Sequence, residues 1–385
     1  LPRVIHIDPA AQADIRAMAQ TEERPNAVRR NGSDLYRLMY TSGTTDHPKG
    51  VIHQYDNFYW KTMDQAVALQ QSAQDKLLVV GPMYHVGGID LPGIGVLWMG
   101  GTMVIHRDFD AKAALRTIQD EKITCAWFAP VMTNMVLNLP DRDRFDVSSL
   151  RWCVGGGERT PESRIREFTE LFTNSRYIDA YGLTESFGGD TLMEAGKEIE
   201  KIGSTGRAIM HVEVDIRDDK GNRLAPGEDG EICLRGPKIT TGYWRDREKT
   251  AAAFHPEGWF RSGDVGHLDE DGFLFLTDRK KDMIISGGEN IASSEVERVV
   301  YQMEDVLEAA IIGLPDADWG ERVAAVVVPK PGAEIDQTAI DAHCRAHLAG
   351  FKSPKELHIL DELPRNPSGK VLKRVLRERL GRDED

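Results

Sequence analysis

Apolar residues in this chain form short runs that alternate with longer amphipathic stretches. The runs at 76–80 and 123–128 have the length and character of buried strands, whereas 110–121 and 130–139 have the spacing of helices. Such alternation of strand and helix is typical of a parallel sheet covered by helices. The pattern therefore predicts an α/β fold with layered sheets in the first part of the chain.

The pattern changes in the second half. Strands are predicted at 212–217 and 230–235, and the turn-rich residues between them favour an antiparallel or β-barrel-like subdomain. From residue 283 onwards the order is strand, helix, strand, strand, helix, which predicts a compact α+β domain of about one hundred residues. Two local predictions concern the first half: a strand over 34–40, and a helix capped by Asp56 that runs to about residue 71.

Composition narrows the class of protein. The 385 residues suffice for two domains, and 41% apolar with 29% charged residues fits a globular protein. A formal net charge of −14 argues against nucleic acid as a partner. The four cysteines are far apart without a C-x-x-C pair, which supports neither a zinc site nor a disulfide framework and favours a reducing, cytoplasmic location.

The most apolar segment, residues 81–105, is interrupted by His85, Asp90, Pro92 and several glycines. A membrane-spanning helix needs about 20 predominantly apolar residues in succession, so no transmembrane segment is predicted here. Peripheral membrane contact stays open, as does a homodimer.

The strongest chemical signal lies between Tyr40 and Gly50, where hydroxyls, glycines and Lys49 follow an apolar run. Glycines let backbone N–H groups approach an anion, while hydroxyls and a lysine add donors and charge. This suits a polyphosphate, although the lysine precedes the last glycine, unlike the P-loop arrangement. A polar surface loop is the alternative for this stretch taken alone.

Six further motifs follow in order, each weak by itself. They are Pro82-Met83-Tyr84-His85, Tyr181-Gly182-Leu183-Thr184-Glu185-Ser186, Gly258-Trp259-Phe260-Arg261-Ser262-Gly263-Asp264, Asp278-Arg279-Lys280-Lys281-Asp282, Gly287-Gly288-Glu289-Asn290 and Pro364-Arg365-Asn366-Pro367-Ser368-Gly369-Lys370. Together with the loop before Gly50, this series resembles the adenylate-forming enzymes, which include the AMP-forming acyl-CoA synthetases, luciferases and peptide-synthetase adenylation domains. The resemblance runs from about Leu35 to the C-terminus.

The resemblance implies an ATP site and a Mg²⁺ ligand. Tyr181 would stack on adenine, Thr184 would contact phosphate, Asp264 and Arg279 would contact ribose, and Glu185 would bind Mg²⁺, with His85 beside the acyl carboxylate. Lys370 would be the catalytic lysine of adenylation. The implied ATP and AMP contacts are Thr41, Ser42, Gly43, Thr44, Thr45, Lys49, Gly156, Gly157, Tyr181, Gly182, Thr184, Asp264, Arg279 and Lys370.

The resemblance also implies a division of the chain. Residues 1–278 would form the adenylation domain, 279–282 a hinge centred on Lys281, and 283–385 a small mobile lid. Gly287, Gly288 and Glu289 would form the coenzyme A tunnel. Members of the family usually carry a further region before the phosphate loop, so we expect the N-terminal portion to be incomplete.

The implied reaction joins a carboxylic acid to coenzyme A with ATP, giving AMP and pyrophosphate. The apolar, glycine-rich stretch between Tyr84 and Met99 favours an uncharged acyl group, and a fatty acid or an aromatic acid both fit. Three other functions stay open: adenylation for a carrier protein, a luciferase-like oxygenase, and nucleotide binding without catalysis. Asp46 stands where the family's loop nearly always has glycine, which predicts a modest weakening of ATP binding.

Overall fold

The computed structural model describes residues 28–41, 48–156, 160, 162–365 and 371–381. These residues form four β-sheets with helices packed against them, so the predicted α/β class is confirmed. In the described ranges, no helix is long and apolar enough to cross a membrane.

The first sheet is an antiparallel hairpin of β1, Leu35–Thr41, and β2, Lys49–Gln54. Thr41 is paired with Lys49, so the predicted phosphate loop connects two adjacent strands. The hairpin therefore fixes both ends of the loop beside each other, although Ser42, Gly43, Thr44, Thr45 and Asp46 lie outside the described residues.

The helix after the hairpin is α1, Tyr55–Ala68. The prediction that Asp56 caps it is wrong, because Gln54 occupies the capping position and Asp56 lies in the first turn. The backbone N–H of Gln54 donates to Asn57 Oδ1 at 2.9 Å. A side chain in the first turn of the helix therefore supplies the hydrogen-bond acceptor for the N-cap residue. The helix also ends at Ala68, before the predicted residue 71, because the chain leaves the helical path at Gln70, which has a positive φ of 51°.

The largest sheet has seven strands. They are β3 Lys76–Val79, β4 Thr102–Ile105, β5 Cys125–Phe128, β6 Trp152–Gly156, β7 Arg176–Tyr181, β8 Thr191–Leu192 and β9 Arg207–Ala208. In space their order is β4-β3-β5-β6-β7-β8-β9; the first five are parallel, and β8 and β9 continue the sheet in antiparallel pairing. The parallel, layered sheet predicted from the alternation is confirmed.

Both faces of this sheet are covered, as a parallel sheet requires. On one face, side chains such as Leu78, Phe128 and Tyr177 pack with the helices α3–α5; on the other, Leu77 and Trp127 pack towards α2 and its neighbours. The helices are α2 Gly95–Trp98, α3 Ala111–Glu121, α4 Pro130–Leu137 and α5 Glu162–Leu171. Before α2 lies a π-helix, Val86–Ile94, interrupted at Leu91.

The third sheet contains four antiparallel strands, so the antiparallel alternative for this region is the one observed. Helix α6, Arg247–Ala252, lies between its second and third strands. The strands, neighbours in chain order, are β10 Glu213–Arg217, β11 Gly230–Arg235, β12 Phe260–Leu268 and β13 Leu274–Arg279.

The last part of the chain forms a mixed sheet with helices, as predicted for a small α+β unit. Its long hairpin of β16 and β17 carries the apolar core, against which α7 and α8 pack on one side and α9 on the other. The elements are β14 Ile284–Ser286, β15 Glu289–Ile291, α7 Ser293–Val300, β16 Val306–Asp316, β17 Gly320–Pro329, α8 Gln337–His347, β18 Glu356–Ile359 and α9 Lys373–Leu380.

Candidate active site

Several predicted site residues lie at or just after the carboxyl ends of the central parallel strands: Gly156, Tyr181, Gly182, Thr184 and Glu185. Strand β6 ends at Gly156 and β7 at Tyr181, and the carboxyl edge of such a sheet is where α/β proteins bind ligands. Gly182 follows β7 and lets the chain fold back on itself, because a Cβ there would lie 2.3 Å from the backbone nitrogen of Gly189. Gly157 and Lys370 lie outside the described residues.

Glu185 and Lys49 both contact the side chain of Tyr243, Glu185 at its hydroxyl and Lys49 over its ring. The hydroxyl of Tyr243 donates to Glu185 Oε1 at 2.9 Å, and Lys49 Nζ stands 4.9 Å from the centre of the Tyr243 ring. Burial, and then the charge of Glu185, raise the pKa of Tyr243, so the phenol stays protonated and acts as donor. In the described residues, neither Lys49 nor Glu185 has an ion-pair partner, which leaves both charges for a ligand.

A second cluster centres on Asp264, which β12 holds opposite Arg279 of β13. Arg279 Nε lies 3.0 Å from Asp264 Oδ1, and the Tyr181 hydroxyl donates to Asp264 Oδ2 at 2.9 Å. Burial opposes the charge of Arg279, but Asp264, together with Tyr181, Asp282 and Glu185, outweighs it and the pKa of Arg279 is raised. The carboxylate keeps lone pairs for further donors, since an ionised Asp offers about four acceptor positions.

The imidazole of His53 contacts the backbone carbonyl of Thr184. Arg37 Nε donates to His53 Nδ1 at 3.0 Å, so the imidazole proton is on Nε2, which lies 2.7 Å from the Thr184 carbonyl oxygen and donates to it. Burial and then the Arg37 charge lower the pKa of His53 to about 3, so it is neutral at physiological pH. His53 also stacks on Phe187, with ring centres 3.6 Å apart.

His85 lies at the start of the π-helix, where its Nδ1 accepts a hydrogen bond from the backbone N–H of Gly87 at 3.1 Å. The next residue, Val86, packs towards the loop after Glu185: a Cβ placed on Gly188 would lie 3.6 Å from Val86 Cγ2. The structure therefore brings the segment that begins with His85 against the turn that carries Glu185.

Lys281, the predicted hinge residue, lies in an exposed turn that follows β13. The backbone N–H groups of Asp282 and Met283 both donate to the Arg279 carbonyl, at 2.8 and 3.0 Å. Asp278 Oδ2, just before the turn, accepts from the N–H and hydroxyl of Ser293 at the start of α7.

Gly287 and Gly288 form the turn between β14 and β15, with positive φ angles of 60° and 83°, and Glu289 opens β15. The exposed indole of Trp319 lies against this turn, because a Cβ on Gly287 would come within 2.5 Å of it. The N–H of Gly287 also donates to the Trp319 carbonyl at 2.8 Å.

Sequence reasoning missed Tyr243, His53 and Trp319 as members of the site. Tyr243, for example, stands 58 residues along the chain from Glu185, the residue it contacts. A sequence motif contains the residues that contact a ligand. The residues that orient those side chains are brought near them only by tertiary contacts.

Comparisons with known proteins identify the family of this chain. Residues 2–244 match the family model of the AMP-binding enzymes, and residues 295–370 match that of the AMP-binding enzyme C-terminal domain. A long-chain-fatty-acid–CoA ligase of Mycobacterium tuberculosis, FadD13, is 38% identical over 352 residues, which is 91% of this chain and 69% of the relative. A feruloyl-CoA synthase of an Amycolatopsis species is 38% identical over 348 residues, 90% of this chain and 70% of the relative.

Among solved structures, ATP-bound MatB from Rhodopseudomonas palustris superposes with a TM-score of 0.89 at 31% identity, covering 96% of this chain and 73% of that one. The chain belongs to the AMP-binding enzyme family, the adenylate-forming class. Within that class it is an acyl-CoA ligase, an acid–thiol ligase that forms AMP.

Proposed function

We propose that this ligase activates a carboxylic acid with an uncharged acyl group, with a fatty acid as the first candidate and an aromatic acid as the second. The apolar helical segment that follows His85, from Val86 to Trp98, supports an uncharged acyl group beside the reacting carboxylate. One of the two relatives is named for a long-chain fatty acid and the other for feruloyl, an aromatic acyl group, so each candidate has a relative of that kind.

The observation that supports ATP-dependent activation is that the Glu185 carboxylate and the Lys49 ammonium both contact Tyr243, next to the end of β7. Glu185 and Lys49 would face the phosphates of ATP, with Thr41 and the loop residues Ser42, Gly43, Thr44 and Thr45 completing the cradle. Tyr181 would stack on adenine, and Asp264 would accept the ribose hydroxyls while Arg279 fixes its orientation.

Glu185 is suited to one Mg²⁺ ion. Its carboxylate is half-buried, Tyr243 holds only Oε1, and Mg²⁺ favours one or two carboxylates together with substrate phosphates. Across the described ranges, no cluster of three or more His, Cys, Asp or Glu residues could hold a metal by itself, so a phosphate-completed site is the arrangement that fits. When bound, the ion would neutralise phosphate charge.

Two half-reactions follow from this arrangement. In the first, a carboxylate oxygen attacks the α-phosphorus of ATP and pyrophosphate leaves, which yields acyl-adenylate. In the second, the thiolate of coenzyme A attacks the acyl carbonyl and AMP leaves. Negative charge accumulates in the first step, so Lys49 and Lys370 would act as positioned cations, His85 would lie beside the acyl carboxylate and Thr184 would contact the α-phosphate.

The acceptor thiol would enter along the turn of Gly287, Gly288 and Glu289. Positive φ angles suit a turn that pantetheine passes closely, and the exposed Trp319 adds a flat apolar wall there. The four cysteines are unpaired and buried, which supports the proposed reducing, cytoplasmic location.

The test is product formation across a panel of acids. Purified full-length protein with ATP, Mg²⁺ and coenzyme A should release AMP and form thioester with medium- or long-chain fatty acids or with hydroxycinnamic acids. ATP binding without AMP release would favour the non-catalytic alternative. Transfer only to a carrier-protein thiol, or oxygen uptake with light emission, would favour the two other readings.

The hinge assignment can be tested by Lys281→Pro. In the described part of the chain, no backbone hydrogen bond has the N–H of Lys281 as its donor, so proline would restrict rotation without breaking such a bond. We expect one half-reaction to slow at least about tenfold while the other stays near normal, because one lid orientation is trapped. Lys281→Ala is the control and should leave both rates unchanged; normal rates in the proline variant would mean that the boundary lies elsewhere.

A further inference from the structure

Lys238 is a completely buried lysine beside the active-site turn. Its ammonium lies 2.9 Å from each of three acceptors: the carbonyl oxygens of Gly188 and Gly189, and Oδ1 of Asp190. Both Lys238 and Asp190 are 0% exposed to solvent. A buried charge of this kind persists only when paired and hydrogen-bonded: the Lys238 ammonium donates to the two carbonyl oxygens and forms an ion pair with Asp190.

The loop that Lys238 holds has an unusual backbone. Phe187, Gly188 and Gly189 have φ angles of 60°, 73° and 64°, three successive residues in the left-handed region. Such a path directs the carbonyl groups of Gly188 and Gly189 into the interior, where Lys238 and Gln65 supply donors. Without those donors the buried carbonyls would favour a different path.

This loop is continuous with the turn of Thr184 and Glu185. Asp190 Oδ2 accepts from the hydroxyl of Ser186, and the same hydroxyl accepts from the backbone N–H of Leu183 at 3.1 Å. Lys238 is therefore linked through Asp190 and Ser186 to the residues on both sides of Glu185.

The segment that carries Lys238 contacts the turn at two more points. The backbone N–H of Thr240 donates to the carbonyl oxygen of Glu185 at 2.7 Å, and the Tyr243 hydroxyl donates to the Glu185 carboxylate. The loop, the main chain and the side chain of Glu185 are thus fixed by six residues, of which Lys238 is the cation: Lys238, Gln65, Asp190, Ser186, Thr240 and Tyr243.

We propose that Lys238 is a positioning residue for adenylation: its ammonium holds the loop at Gly188–Asp190 so that Glu185 presents its carboxylate to the metal-bound phosphates. The inference rests on the proposed role of Glu185. Lys238 itself, being enclosed, touches neither substrate nor metal. Asp190 compensates its charge, so the pair acts as one unit.

The variant Lys238→Met keeps most of the side-chain volume and removes the donors. Two measurements distinguish a role of Lys238 in positioning Glu185 from a role only in the stability of the folded protein. The first is amide hydrogen exchange without nucleotide or metal, read at Gly188 and Asp190, whose N–H groups donate to Leu183 and Tyr181. The second is the Mg²⁺ concentration for half-maximal acid-dependent pyrophosphate exchange.

We expect exchange at these two amides to accelerate at least about tenfold and the half-saturating Mg²⁺ concentration to rise about tenfold. Thioester formation from preformed acyl-adenylate should change less than about twofold, because that step does not need the phosphate-bound metal. The matched control is Arg217→Met, which removes another buried cation with a carboxylate partner, Asp215, and a carbonyl partner, Gly221. It should lower the melting temperature without moving either readout.

If Lys238→Met fails to fold, Lys238→Met/Asp190→Asn removes both charges and replaces it in the two measurements. A change in melting temperature alone, with unchanged exchange or unchanged Mg²⁺ dependence, overturns the proposal. If the wild-type protein shows no acid-dependent pyrophosphate exchange, the proposed function fails, whereas unchanged amide exchange in the variant would overturn the role of Lys238 independently.

Discussion

Glu185→Gln is expected to lower the rate of acyl-adenylate formation by about two to three orders of magnitude. The substitution keeps the shape of the side chain and an oxygen that can accept from the Tyr243 hydroxyl, but it removes the negative charge that would hold Mg²⁺. A neutral amide is a weaker ligand for a hard cation than a carboxylate. Acid-dependent pyrophosphate exchange at several Mg²⁺ concentrations measures the effect.

Tyr243→Phe separates the charge of Glu185 from its orientation. It removes one hydrogen bond to the carboxylate and keeps the ring against which Lys49 lies. The expected loss is about tenfold, since a hydrogen bond to a charged group contributes about 1.5–3 kcal/mol. If Glu185→Gln were no more damaging than Tyr243→Phe, or if its Mg²⁺ dependence were unchanged, Glu185 would not be the metal ligand.

The fold was predictable where local pattern and tertiary structure agree. Strands such as β5, Cys125–Phe128, are buried along their whole length and therefore stand out as apolar runs. Helix α3 was placed within one residue, because Asp110 caps it through the N–H of Ala113. The start of α1 was misplaced because the side-chain oxygen of Asn57 accepts from the backbone N–H of Gln54 at the N-cap, a weaker sequence signal than an aspartate.

The candidate site was predictable only as separate motifs. Asp264 follows a glycine and in isolation reads as a turn residue, yet it lies in a strand opposite Arg279 because β12 and β13 pair in register there. The family resemblance predicted Asp264 and Arg279 as site residues. Their contact with each other follows from the pairing of β12 with β13 and could not be predicted from the motifs.

The supports of the site could not be predicted. Lys238 and Asp190 are charged residues in sequence contexts that suggest solvent exposure, and composition places such residues at the surface by default. Their burial depends on the meeting of the segment after β11 with the loop after β7. That contact spans 48 residues of sequence and has no local signature.

The proposed catalytic lysine, Lys370, lies outside the described residues, but the element after it is well anchored. Helix α9 begins at Lys373, whose ammonium lies 2.7 Å from Glu297 of α7 and donates to the hydroxyl of Ser293. Burial opposes the charge of Lys373, but Glu297, together with Asp278 and Asp282, outweighs it and the pKa of Lys373 is raised. These contacts therefore hold the chain three residues beyond Lys370.

Lys370→Ala should reduce acyl-adenylate formation by about two orders of magnitude or more, because a positioned cation is lost where phosphate charge develops. Thioester formation from preformed acyl-adenylate should change less than about twofold, since the lid is expected to remove Lys370 from the site for that step. Single-turnover assays of each half-reaction, with quenched samples resolved by chromatography, measure both rates. Lys355→Ala serves as control: it removes an exposed lid lysine whose contact is the Gly350 carbonyl at 3.4 Å, and neither rate should move. Equal loss of both half-reactions in Lys370→Ala would show instead that this lysine supports the lid as a whole, and the separation of roles between the two steps would have to be abandoned.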